Sequence, residues 1–162
     1  MKKALIIILV ASLSFLLAPL ISFSAPFKIV NVCNGYTLEA VGQDITIMVA
    51  LAGINKGHPF QEKNNKFLRT LLLHKVVDIK GYGLGTDDRN LGVVRLGDTN
   101  INLEMVRQGM AKTFCGKPPS GLDLEPYLKA EHVARLSKRG IWKNNKNNPG
   151  PVTVTKKETH ML

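Results

Sequence analysis

A chain of 162 residues with 22 Lys and Arg against 12 Asp and Glu carries a formal net charge of +10 and holds two cysteines. The length suits one domain with a real core and excludes a large multidomain assembly; Cys33 and Cys115 form no Cys-x-x-Cys pair, which excludes that metal pattern. So basic a balance points to a polyanion partner (nucleic acid, phospholipid head groups or acidic polysaccharide), among which charge alone does not choose.

Met1-Lys2-Lys3 is a short basic start, and residues 4–23 are almost wholly apolar. A basic start, an apolar run and then small residues read as a secretory signal, with Ser22 and Ser24 placing cleavage after Ser24. The run also approaches the roughly 20 residues that span a bilayer, so an uncleaved N-terminal anchor is the alternative, and only then is the membrane a partner. Either way the protein is expected to be exported, periplasmic or secreted. Removing residues 1–24, with Lys2 and Lys3, leaves about 138 residues and a charge of about +8. Residues 25–143 are the expected domain and 144–162 a disordered basic and polar tail. In an oxidising compartment the two cysteines can pair, provided their Cα atoms lie within about 7 Å.

Residues 27–33 and 38–41 read as two short strands about the turn Asn34-Gly35, a strong hairpin signal. Residues 44–52, rich in Ile, Met and Val, are a third strand. Pro59 opens a helix, as proline does at a first turn, and Phe60, Phe67, Leu68, Leu71 and Leu72 share one face of it. His74 and Lys75 suit its C-terminal end. Residues 76–82 and 91–96 are strands joined by the loop Gly83-Leu84-Gly85-Thr86-Asp87-Asp88-Arg89-Asn90.

Asn102 reads as the N-cap of a helix over 103–108 that Gly109 ends. Asp123 caps a last helix, with Glu125 in its first turn and Lys138 and Arg139 at its end. Tyr127, Ala130 and Ala134 line its buried face. After Trp142 the run Lys143-Asn144-Asn145-Lys146-Asn147-Asn148-Pro149-Gly150-Pro151 has no apolar face and reads as disordered, with residues 152–154 the one candidate edge strand. Five strands, with helices after the third and the fifth, predict an α+β, mainly β fold. It is a five-stranded OB-fold barrel with about three packed α-helices, an architecture that commonly binds oligonucleotides on one face.

Several segments then fall into a familiar order: Gly53-Ile54-Asn55, Lys56-Gly57-His58-Pro59-Phe60, Lys80-Gly81-Tyr82-Gly83, and Leu91-Gly92-Val93-Val94 just after Arg89. Ile101-Asn102-Leu103-Glu104-Met105-Val106-Arg107-Gln108-Gly109-Met110-Ala111 follows, then Tyr127, Glu131, Ala134 and Gly140-Ile141-Trp142. In this order and spacing they resemble the staphylococcal nuclease (thermonuclease) family over about residues 27–142. The resemblance implies a barrel like the one above, and active members that hydrolyse DNA and RNA phosphodiesters with Ca²⁺. Calcium takes several hard oxygen ligands, mostly carboxylates. It polarises the phosphate while arginines stabilise transition-state charge, and a glutamate orients or deprotonates the attacking water.

Carried over residue by residue, most of that site is substituted. In Asn34-Gly35-Tyr36-Thr37, Tyr36 stands where the family's Asp-Gly-Asp-Thr turn has its ligand carboxylate. Asn55 stands for the second ligand aspartate, and Ala50 for the arginine of the same motif. The catalytic glutamate falls on His58 without a gap. It is deleted if Gly57-His58-Pro59-Phe60 is matched to Gly-Gln-Pro-Phe, which we prefer because proline and phenylalanine then align. Glu62, the nearest substitute, lies inside the helix turn. Arg89 matches the family's second catalytic arginine and is retained, with Asp87 and Asp88 beside it where the family has aromatic and small residues.

With the ligand positions substituted at Tyr36 and Asn55, no metal or small-molecule cofactor is expected, although Ca²⁺ serves the family. Tyr36 either fills the metal's space or stacks a base. Lys56, Lys63 and Lys112 join Arg89 and Tyr36 as the candidate nucleic-acid-binding residues. Cys33 precedes the altered turn and Cys115 follows the second helix, both near the family's active face, which favours a disulfide over a catalytic thiol. His58, His74 and His132 lie on separate elements with no ligand-like spacing.

The resulting expectation is an exported thermonuclease-like domain that lacks the calcium-dependent nuclease activity and binds nucleic acid or another polyanion. One alternative is an active phosphodiesterase rebuilt around Asp87, Asp88 and Arg89. Another is an envelope protein-interaction scaffold. The residues set no oligomeric state.

Overall fold

Three strands, the first broken by register shifts, form the first half of the domain. In the computed structural model, which describes residues 26–55, 61–85 and 87–143, β1 (Pro26–Asn34), β2 (Thr37–Gly42) and β3 (Ile45–Leu51) form an antiparallel meander. Ile29, Val32, Leu38 and Ala40 turn inward from it and are buried. Asn34 pairs with Thr37, so the turn residues are Gly35 and Tyr36, and the Asn34 Oδ1 accepts the Tyr36 N–H at 3.0 Å. The next turn is Gln43-Asp44, both with positive φ, at 50° and 60°. That conformation matches hairpin twist and takes Asp44 out of the strand predicted to contain it.

Helix α1 (Gln61–Leu72) follows, then β4 (Val76–Leu84), β5 (Asn90–Leu96) and the two-residue β6 (Thr99–Asn100). The strands run β3-β2-β1-β4-β5, and β5 returns to pair with β3 in parallel, Ala50 against Leu91. That pairing closes a five-stranded barrel, the predicted α+β, mainly β architecture. Leu68 and Leu72 of α1, with Ile101 and Met105 of helix α2 (Ile101–Arg107), join Ile29, Leu38 and Leu51 in one core, all fully or almost fully buried. Each such side chain contributes about 1.5–3 kcal/mol of transfer free energy.

Two caps differ from expectation. Helix α2 begins at Ile101, with Asn100 as N-cap accepting the Leu103 N–H at 3.1 Å. Asn102 is instead fully buried. Its Oδ1 accepts the Val94 N–H at 3.0 Å, and its Nδ2 donates to the carbonyls of Ala52 at 2.8 Å and Gly92 at 2.9 Å. The amide thus does three jobs inside the fold that a cap at the surface would not. In helix α3 (Glu125–Leu136) Leu124 takes the cap position, while Asp123 Oδ1 accepts the Glu125 N–H at 2.9 Å.

Tyr127, Ala130 and Ala134 face inward from α3 as predicted, joined by Glu131, whose carboxylate accepts the Thr113 N–H at 2.6 Å and the Arg135 Nε–H at 3.0 Å. A 3-10 turn, Gly140–Trp142, buries Trp142 beneath Lys112 and Arg135, whose cationic groups lie 5.3 and 4.2 Å from its ring. Among the described residues no helix is long and apolar enough to cross a membrane. The expected signal or anchor, the helix start at Pro59, the tail and the strand over 152–154 lie outside the described residues.

Candidate functional site

Barrel closure brings distant stretches to one rim. Thr37, the first residue of β2, pairs with Ala50 of β3, and Ala50 pairs with Leu91 of β5. Arg89 stands just before β5, and its Nη1 reaches the Thr37 hydroxyl at 3.4 Å and Asp87 Oδ2 at 3.6 Å. Thr37 and Ala50 have no exposed surface, whereas the Arg89 side chain is 38% exposed. The guanidinium is therefore held from below and open above. Tyr36 accepts the Leu51 N–H on its carbonyl at 2.9 Å, and its half-buried ring packs against the core, as a space-filling residue would.

Beyond β3 the chain turns through Gly53 at φ 79°, where a Cβ would meet the Tyr127 ring at 3.0 Å. Any other residue there would be strained and crowded. The turn sets Ile54 against Thr113. Asn55 N–H donates to the Lys112 carbonyl and Phe114 N–H to the Gly53 carbonyl, each at 2.9 Å. Asn55 and Phe114 then line a mainly apolar cavity of about 250 Å³, with Gly85 and Leu91 from the Arg89 loop and its strand. Gly85 N–H donates to the Arg89 carbonyl at 2.7 Å, which ties that loop across its base.

The structure thus gathers Tyr36, Ala50 and Arg89 on one rim, and places Asn55 in a cavity that the Arg89 loop also lines. It distributes the other candidates. Lys112 contributes its backbone here, but its ammonium lies over Trp142. Lys63 lines a separate cavity of about 150 Å³ with Asn64, Met110 and Gly140. Lys56 and His58 fall outside the described residues. His74 and His132 are exposed on different elements. The expected Cys33–Cys115 disulfide is not formed: both are free, solvent-exposed thiols, one on β1 and one in the loop beyond α2.

Sequence reasoning missed Phe114, an aromatic 37% exposed between Thr113 and Cys115. Its signal was a single large apolar residue in a polar loop. Asp87 is turned on Arg89, and Asp88 takes a left-handed φ of 54° with its N–H donating to the Gly85 carbonyl at 3.1 Å. Among the described residues no three His, Cys, Asp or Glu side chains group as a metal site. A phenol at Tyr36 and an amide at Asn55 do not make the carboxylate-rich set that calcium takes, so these residues do not fit the ion. What the rim offers is a half-exposed cation, and its loop also lines an apolar slot with an aromatic wall.

Cys33 senses the same rim. Although Cys33 is exposed, partial desolvation by its neighbours pushes its thiol pKa up, Glu39 adds to the rise, and the Arg89 cation opposes it. Removing Arg89 removes the one opposing charge, so Arg89→Ala should raise that pKa further and slow alkylation of Cys33 at neutral pH. Iodoacetamide rates against pH, read by mass spectrometry of the Cys33 peptide, check this. An unchanged or faster rate would separate Cys33 from Arg89.

The profile of the staphylococcal nuclease homologues matches residues 43–144 of the chain. A Haemophilus influenzae protein named "Uncharacterized endonuclease" is 33% identical over 122 residues, 73% of this chain and 66% of that protein. Proteins named "Probable endonuclease" are similar as well. The one from Vanderwaltozyma polyspora is 34% identical over 95 residues, 55% of this chain and 34% of its own length. The one from Komagataella phaffii is 30% identical over 112 residues, 60% of this chain and 49% of its own length. The chain therefore spans between 34% and 66% of these relatives.

Proposed function

The chain belongs to the staphylococcal nuclease homologues, and from that premise we propose that it is an exported domain that binds single-stranded nucleic acid without cutting it by the calcium route. The observation that carries this reading is the half-exposed Arg89 guanidinium, on the loop whose Gly85 lines the cavity that Phe114 walls. A phosphate is a natural bidentate partner for such a guanidinium, and a base stacked on an aromatic wall adds about 1–3 kcal/mol. The positive charge, about +8 once residues 1–24 are removed, steers a polyanion toward the surface. The relatives' endonuclease names support nucleic acid as the ligand. Export rests on the apolar run over residues 4–23.

The proposed loss of cleavage follows from charge. Removing one preorganised transition-state stabiliser costs about 100- to 1000-fold in rate. Here the two ligand positions are neutral and Ala50 offers no cation; such losses are not additive, but all act in one direction.

A labelled single-stranded oligonucleotide should bind at low salt in fluorescence anisotropy, with log affinity falling linearly against log salt. It should also be recovered uncut after incubation with calcium. Arg89→Ala should weaken binding about tenfold, roughly the worth of one charged hydrogen bond. No affinity at low salt, or calcium-dependent cleavage that Arg89→Ala abolishes, overturns the reading.

A further inference from the structure

Strand β5 carries the Arg89 rim onward. Positions 91, 93 and 95 alternate along the strand and so share a face, beginning two residues after Arg89. Leu91 lines the cavity beside Asn55, whereas Val93 and Arg95 line a second, larger one of about 550 Å³. The two cavities have a common wall. Ala52, Val93 and Leu122 form one buried cluster with Leu91 and Tyr82 packed on it; Ala52 and Leu91 face the first cavity, Tyr82, Val93 and Leu122 the second.

The second cavity is equipped for more than an anion. Lys80 pairs across the sheet with Val93, and its ammonium lies 5.2 Å from the centroid of the Tyr82 ring. Arg95 spends one Nη1 bond on the Asp98 carbonyl at 3.2 Å and is otherwise exposed. Asp98 and Asp123 line the same space. A bare anion hole would not carry carboxylates. A nucleotide has use for both charges: its phosphate meets Lys80 and Arg95, its face stacks on Tyr82, and its exocyclic amino groups donate to a carboxylate.

We infer that this cavity is a second nucleotide subsite, taking the strand that continues from Arg89 along β5. The inference rests on the reading of the Arg89 rim as a nucleic-acid site. Arg89 and Arg95 are separated by about 20 Å of extended chain, a span of several nucleotides and within the site sizes of about 4–16 nucleotides seen for barrels of this kind. A dinucleotide at Arg89 does not reach Lys80 and Arg95; a longer strand does.

The test uses the full chain in anisotropy titrations with oligothymidylate of about 12 residues and with a dinucleotide. Lys80→Ala with Arg95→Ala should weaken the long strand by roughly tenfold or more at low salt. It should also flatten the log–log salt slope by about 1.4, or about 0.7 for each lost phosphate contact. The dinucleotide should bind as before. Tyr82→Leu keeps the apolar wall and should still weaken the long strand by at least about fivefold through lost stacking. Long-strand affinity and slope unchanged in these variants would overturn the second subsite while leaving the Arg89 reading intact. Failure of the unaltered protein to bind either length would overturn both. Lys80 and Arg95 are exposed, so these substitutions leave the core untouched.

Discussion

Asn102→Ala should destabilise the domain by about 3–5 kcal/mol, far more than any loss of a helix cap. The substitution leaves the Val94 N–H and the Ala52 carbonyl without their partner and takes one of two donors from the Gly92 carbonyl, all deep inside the fold. Each buried polar group left unsatisfied costs about 1–3 kcal/mol. The sum is not fully realised, because the Ala52 N–H still donates to Gly92 and the barrel can relax around a small void. Asn100→Ala is the matched control, since it removes the true N-cap and should cost only about 1 kcal/mol. Urea titrations of both variants decide the point, and equal losses would mean that the buried amide is dispensable. Function should follow stability here. Asn102 ties the turn that leads to Gly53 and Asn55 onto β5, so a loosened brace widens the cavity that Phe114 and Leu91 line.

That brace marks where the sequence was legible and where it was not. The strands and helices were readable because each follows from local periodicity, and Leu68, Leu72, Tyr127 and Ala134 are buried as their spacing predicts. Asn102 was not readable. An asparagine before Leu103-Glu104 has the composition of a cap, and only the barrel's closure supplies the three backbone groups that make it an interior residue. The Gln43-Asp44 turn failed for a similar reason: neither residue is glycine, so nothing local announced two positive φ values.

At the candidate site the family frame located Tyr36, Ala50, Asn55 and Arg89, and three of these meet on one rim. Lys112 and Lys63 did not follow, because a lysine's position in the chain says little about where a long side chain ends. Lys112 finds the Trp142 ring. Phe114 and Tyr82 went unread as site residues, since a single aromatic becomes a wall only once another element stands across from it.

Calcium should leave the melting temperature of the unaltered protein where it is, and restoring two carboxylates should change that. Tyr36→Asp with Asn55→Asp returns acidic oxygens to both positions while Thr37 and Gly35 keep the turn. Sites of modest charge and rigidity hold calcium with dissociation constants of about 0.1–1 mM. At about 10 mM calcium such a site stabilises the folded state by about 1.4–2.7 kcal/mol, a rise of several degrees for a domain of this size. Calorimetric melts with and without calcium read it directly. The double variant should still not cut, because Ala50 has no exposed surface and supplies no cation to the phosphate. Stabilisation of the unaltered protein by calcium would show that oxygens other than carboxylates suffice here, and the reading of a site stripped of its metal would fall. If the double variant gains calcium and remains uncutting, metal binding and catalysis separate at this rim. Arg89 would then be a phosphate anchor that outlived the chemistry it once served.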